Sequence, residues 1–190
     1  MEAHASLREA RARGRIDLAQ GDVRGVRRPD RFALAILAGV LSHLDGPEDA
    51  LRALSAARRL LEPDGTLIVD VLGPGGLPPH DLPLSIDWER AWSDRRVVRR
   101  SRLERRVTPE GLRVAYATLT DVIQADGTIA RLPASFRLWY PSATALVGLA
   151  EEAELAVLAV YGSHDLQALD DDSERCIIVA RPTAVLPETE

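Results

Sequence analysis

The sequence has 190 residues, is 46% hydrophobic and carries a net charge of −5. It is therefore long enough to bury one core and is not built for general affinity to nucleic acid. Its single cysteine, Cys176, excludes an internal disulfide framework and fits a reducing compartment.

Met1 to Arg13 contain no apolar stretch of the signal-peptide kind, and no run approaches the length of a membrane span. A cytoplasmic protein without membrane contact is expected. All 24 basic residues are arginine, and lysine and asparagine are absent. Both missing amino acids have A/T-rich codons, so the expected source is a GC-rich bacterium. Met1–Gly14 reads as a helix, with Ala3, Leu7 and Ala10 at helical spacing and Gly14 placed to end it. Arg15–Gln20 alternates Ile16 and Leu18 with polar residues and reads as a short strand. Phe32–Ala38 (FALAILA) is a continuous apolar run of strand length, the pattern of a buried parallel strand.

The next segment is the best-marked helix. Pro47 suits its first position, Glu48 and Asp49 suit its first turn, and Arg58 and Arg59 suit its last. Ala50, Leu51, Leu54, Ala57 and Leu61 make one apolar face. Pro63-Asp64-Gly65 turns the chain into a second strand, Thr66–Leu72. Strand, helix and strand with short connections form a βαβ unit with a right-handed crossover.

Gly73–Pro83, with four prolines and three glycines, is a loop. Arg95–Val107, Leu112–Ile123 and Ile129–Trp139 read as extended segments, joined by turn signals at Pro109-Glu110-Gly111 and Ala125-Asp126-Gly127. They predict a small antiparallel sheet inserted into an α/β domain. Ser142–Ala153 returns to helix with Ser142 as its cap, and Leu146, Leu149 and Ala153 facing inward. Leu155–Tyr161 and Arg175–Ala180 close the domain as strands. Residues 1–181 thus read as a single partial domain with a cap at about 84–140, and 182–190 as a disordered tail.

Three stretches together resemble the class I S-adenosylmethionine-dependent methyltransferases. They are Gln20-Gly21-Asp22-Val23-Arg24, Phe32–Leu44, and LRALSAARRLLEPDGTLIVDVL with its Leu61-Glu62-Pro63-Asp64-Gly65 turn. The resemblance implies a Rossmann-like α/β sheet and S-adenosylmethionine as cofactor. Asp22 would accept from the adenine amino group and the Val23 N–H would meet the ring. Ala38, Gly39 and Val40 would lie against the methionine part. His43, Trp88, Trp139 and Tyr140 are substrate-pocket candidates, with Trp92 beside them. No catalytic base and no metal ligand is nominated. The implied acceptor is a small molecule, of nucleoside type among others, and a homo-oligomer is open.

The plainer readings are a turn or cap role for Asp22, core or cap packing for the tryptophans, and a solvated face for the arginines of Arg95–Arg106. Cys176 reads as a buried inert thiol. No hydrolase or metalloprotease motif occurs. The family pattern opens with a strand, an acidic-x-Gly-x-Gly loop and a second strand ending in an acidic residue, and none of these is in the sequence. The resemblance therefore implies an N-terminally truncated member whose sheet lacks its first two strands. Arg15–Gln20 would then pair directly beside Phe32–Ala38 or leave buried backbone groups unsatisfied. The alternatives are a non-catalytic remnant acting as a binding or interaction module, and a small-molecule carrier using the inserted sheet.

Overall fold

The computed structural model describes residues 16–17, 19–76 and 79–183. These residues build two four-stranded sheets, the second inserted within the chain of the first. The first sheet has the order β1 (Phe32–Ala38), β2 (Leu61–Leu72), β8 (Arg175–Pro182), β7 (Leu155–Tyr161). β1 and β2 are parallel, and β8 is antiparallel to both β2 and β7.

Helix α1 (Pro47–Leu60) connects β1 to β2. It starts on Pro47 with Glu48 and Asp49 in its first turn and ends on Arg58 and Arg59, matching the helix dipole at both ends. Ala50, Ala53, Leu54 and Ala57 are buried against the sheet. Helix α2 (Ala143–Glu152) buries Leu146, Leu149 and Ala150 in the same core, where Leu67, Val69, Val71 and Ile178 meet both helices. Alternation along β2 explains the arrangement: Leu67, Val69 and Val71 face the helices, whereas Thr66 and Ile68 face the other way.

Four expectations are corrected. The strand expected over Arg15–Gln20 is not formed at its described positions 16, 17, 19 and 20. A strand persists only as a member of a ladder, and among the described residues β1 pairs with β2 alone. β1 has the expected bounds and direction but is not buried on both faces. Phe32, Leu34 and Ile36 are 41%, 49% and 58% exposed, because both helices pack on the opposite face.

The strand expected from Thr66 starts instead at Leu61, and Pro63-Asp64-Gly65 is a bulge within it. Phe32 pairs with Leu61 and Leu34 with Thr66, so the intervening residues of β2 loop outward. Gly65 is needed there, since a Cβ would stand 2.8 Å from the Phe32 carbonyl oxygen. At the other terminus Pro182 belongs to β8, and the Thr183 N–H donates to the Glu154 carbonyl at 2.9 Å. The expected helix over 1–14 and the tail from 184 onward lie outside the described residues.

The second sheet is the expected antiparallel cap, in the order β3 (Leu82–Ala91), β4 (Arg95–Thr108), β5 (Gly111–Gln124), β6 (Ile129–Pro141). Pro109-Glu110 make the tight turn between Thr108 and Gly111. The second hairpin closes where the Gly127 N–H donates to the Gln124 carbonyl at 3.0 Å and Asp126 accepts from the Thr128 N–H at 2.9 Å. β6 runs directly into α2, whose Ser142 cap accepts from the Ala145 N–H at 3.2 Å.

Candidate functional site

β1 and β2 finish side by side. Ala38 pairs with Asp70, and the Gly39 N–H donates to the Asp70 carbonyl at 2.8 Å. The chain then leaves the sheet at Gly39 with φ +67, a left-handed conformation that costs an L-residue about 1–2 kcal/mol. A Cβ built on Gly39 meets no atom within 4 Å, so this backbone is open to a ligand. Ser42 Oγ donates to the Gly39 carbonyl at 2.8 Å and braces the turn. The 3-10 turn Leu41–His43 follows and packs against β6, with the His43 side chain exposed. Open α/β sheets hold ligands at this carboxyl edge.

Asp22 and Val23 sit in a second 3-10 turn, Val23–Gly25, which packs on α1. Asp22 caps it by accepting the Arg24 N–H at 2.9 Å. The Arg24 guanidinium returns to the same carboxylate at 2.5 Å and reaches Asp49, at the start of α1, at 2.6 Å. The side-chain bonds from Arg24 hold the Asp22 carboxyl at about 2, well below the usual carboxylate range. The side chain is still 53% exposed, and a carboxylate has lone pairs beyond those Arg24 takes. Val23 and Val40 pack against one core, so the Asp22-Val23 and Ala38-Gly39-Val40 segments lie on the same body of the fold.

Asp70 is a member of the site that sequence reading missed. It is 9% exposed, and its carboxylate takes Arg175 Nε at 2.8 Å and Nη2 at 2.5 Å on Oδ1. His164 Nε2 stands 3.2 Å from Oδ2. A carboxylate accepts, so in this contact the Nε2–H of His164 donates. A carboxylate inside the apolar strand TLIVDVL is the signal that marks it, but both partners come from beyond the cap. His164 and Arg175 also line an open polar cavity of about 830 Å³ with Asp165, Asp170 and Asp172.

A smaller, apolar cavity of about 300 Å³ lies where the end of β2 meets the cap. Leu72, Val107, Leu112, Tyr140, Ala143 and Cys176 line it. Burial pushes the Tyr140 phenol up, and burial followed by the charge of Asp70 pushes the Cys176 thiol up. Tyr140 thus reaches a pocket, whereas its neighbour Trp139 points the other way into the core. Trp139 is 1% exposed, and its indole N–H has no hydrogen-bond partner. Trp88 and Trp92 are exposed on the cap, with Arg90 and Arg95 over their rings at 5.4 and 5.6 Å. The structure does not gather His43, Trp88, Trp139 and Tyr140 into one pocket.

A βαβ unit closed by an antiparallel pair, with an open turn at its carboxyl edge, defines a Rossmann-like domain. No family model and no curated protein matches the sequence. Solved structures do match. An S-adenosylmethionine-dependent methyltransferase from Clostridium acetobutylicum superposes with a TM-score of 0.70 at 13% identity, covering 93% of this chain and 69% of that one. The sugar N-methyltransferase KedS8 from Streptoalloteichus gives 0.67 at 18% identity, covering 87% and 62%. The CcbJ methyltransferase from Streptomyces caelestis gives 0.62 at 22% identity, covering 86% and 62%. The chain has the Rossmann-like fold of the class I S-adenosylmethionine-dependent methyltransferases and spans 62% to 69% of the length of these three structures.

Proposed function

We propose that this chain contributes the adenine side, the acceptor side and the cap of an S-adenosylmethionine-dependent methyltransferase acting on a small molecule. The observation that carries the reading is the Gly39 turn, open on its outer side and set beside Asp70 at the carboxyl edge. In this reading Asp22 accepts from the adenine amino group, the Val23 N–H meets the ring, and the Ala38-Gly39-Val40 backbone lies along the methionine chain. KedS8, described as a sugar N-methyltransferase, supports an amine- or hydroxyl-bearing acceptor of sugar size.

The cofactor's sulfonium supplies the electrophilic methyl group. This chain's residues position the acceptor in line and exclude water, which is the main catalytic contribution available to such a reaction. His164, tied to Asp70 at 3.2 Å beside the carboxyl edge, is the side chain assigned in this reading to take the proton that the acceptor nitrogen or oxygen loses.

The test is amide NMR with S-adenosylmethionine at about 1 mM, a level suited to the weak binding expected without an acidic-x-Gly-x-Gly loop. Shifts should concentrate at Asp22, Val23, Gly39 and Val40, and Asp22→Ala should weaken them roughly tenfold. No shift at these four positions would sink the reading. Where turnover is measurable, His164→Gln should lower the rate about a hundredfold.

A further inference from the structure

The arginine-dense strand β4 has no part in the reading above, yet its register with β5 and β6 gathers it into a groove. Residues directly opposed in an antiparallel sheet share a face. The rungs Arg102–Ala117–Ser135, Glu104–Ala115–Arg137 and Arg106–Arg113–Trp139 therefore stand on one side of the cap. Ala115 and Ala117, on the middle strand, make a low floor between long side chains on β4 and β6. Two depressions of about 320 and 380 Å³ follow, sharing Glu104, Ala115 and Arg137 on their borders.

The charge in this groove is not balanced. Elsewhere on the cap most arginines have a partner: Arg100 and Arg131 take Asp121, Arg99 takes Asp87, Arg96 takes Glu89, and Arg90 and Arg95 lie over tryptophan rings. Here four guanidiniums line the groove with one carboxylate, Glu104, which Arg102 already approaches at 3.4 Å, while Glu110 in the adjoining turn acts on Arg113 through its charge. Among the described residues no carboxylate forms an ion pair with Arg106, Arg113 or Arg137. Arg106 and Arg113 are direct cross-strand partners, a like-charge pairing that works against the sheet unless an anion lies between them. The groove also has a direction. Arg113 Nη1 donates to the Asp45 carbonyl at 3.0 Å, in the loop that follows the Gly39 turn, so one end of the groove opens toward the candidate cofactor edge.

We infer that this groove binds the phosphate or diphosphate group of a small phosphorylated ligand, with its organic end toward the Gly39 turn. Guanidinium forks match phosphate oxygens in charge and bidentate geometry. The net charge of −5 opposes an extended polyanion, so the ligand is small. That this ligand is the methyl acceptor rests on the methyltransferase reading; the anion site itself does not.

Calorimetric titration of the full chain with inorganic pyrophosphate and inorganic phosphate tests the site. Pyrophosphate should bind, weaken with added salt and raise the melting temperature. Tighter binding of pyrophosphate than of phosphate identifies a diphosphate ligand, and equal affinity a monophosphate. The double variant Arg106→Gln/Arg137→Gln should lose roughly tenfold or more in pyrophosphate affinity. Without pyrophosphate it should melt no lower than the parent. Arg27→Gln removes one positive charge from outside the cap and should leave the affinity unchanged. Absence of pyrophosphate binding to the parent overturns the site, as does an equal loss in Arg27→Gln. An S-adenosylmethionine titration of the same samples tests the cofactor reading separately.

Discussion

The two sheets of this molecule are held by different forces. The mixed sheet β1-β2-β8-β7 buries Leu67, Val69 and Ile178 beneath α1 and α2, and its central side chains are almost wholly removed from water. Three of the cap's four strands are longer than any strand of the mixed sheet, but the cap covers no helix of its own. β3 is exposed along its whole length, and the buried carboxylate of the sheet, Asp121, is clamped between Arg100 at 2.5 Å and Arg131 at 2.7 Å. One sheet is a hydrophobic platform, and the other is a ladder of backbone bonds locked by guanidinium–carboxylate pairs. The platform can therefore hold a rigid edge, while the cap can present charge.

The largest effect that would break this contrast is expected in the platform. Leu54→Ala removes a side chain with no exposed surface from the face of α1 and should cost about 3 kcal/mol in urea unfolding. A loss under about 1 kcal/mol would mean that the helix face is not the main support.

A smaller, pH-dependent effect is expected in the cap. Bonds from Arg131 and then Arg100 hold the Asp121 carboxyl at about 2. A carboxyl lowered on folding stabilises above its unfolded value, about 3.9, and that contribution is lost as pH falls through the folded value. Asp121→Asn should thus melt lower than the parent at neutral pH, and the gap should close between about pH 4 and pH 2. A gap independent of pH would show that packing, not charge, holds this part of the cap. The smallest effect sits at the junction of the two regions: Ser142→Ala removes the cap of α2 and should cost about 1 kcal/mol. Thermal melting of that variant measures it.

Much of this was legible in the residues. The α1 boundaries follow from Pro47 and the charged ends, and the cap hairpins follow from Pro109-Glu110 and Asp126-Gly127, because turn chemistry and periodicity are local signals. Gly39 was legible as a position for close backbone approach, and the structure adds its left-handed φ. The exposed stripe Phe32-Leu34-Ile36 was not legible, since FALAILA reads alike whether one face is covered or two. Asp22 could be read as a ligand contact or as a cap; the cap is what the structure displays, with the Asp-x-Arg spacing as its signature. The Asp70–His164–Arg175 cluster and the arginine groove depend on register between segments up to 105 positions apart, which no window along the chain contains.

The position of β8 has a consequence for the order of events as the chain folds. β8 is laid between β2 and β7, and its register with β2, Val71 opposite Cys176, joins segments separated by the entire cap and α2. The cap pairs neighbours through short turns, whereas the platform must close its longest loop before its central ladder exists. The cap hairpins should therefore gain amide-exchange protection first, drawing the end of β2 toward the start of β8. The carboxyl edge, with Asp70 and Gly39 on it, would be among the last parts of the molecule to acquire its shape.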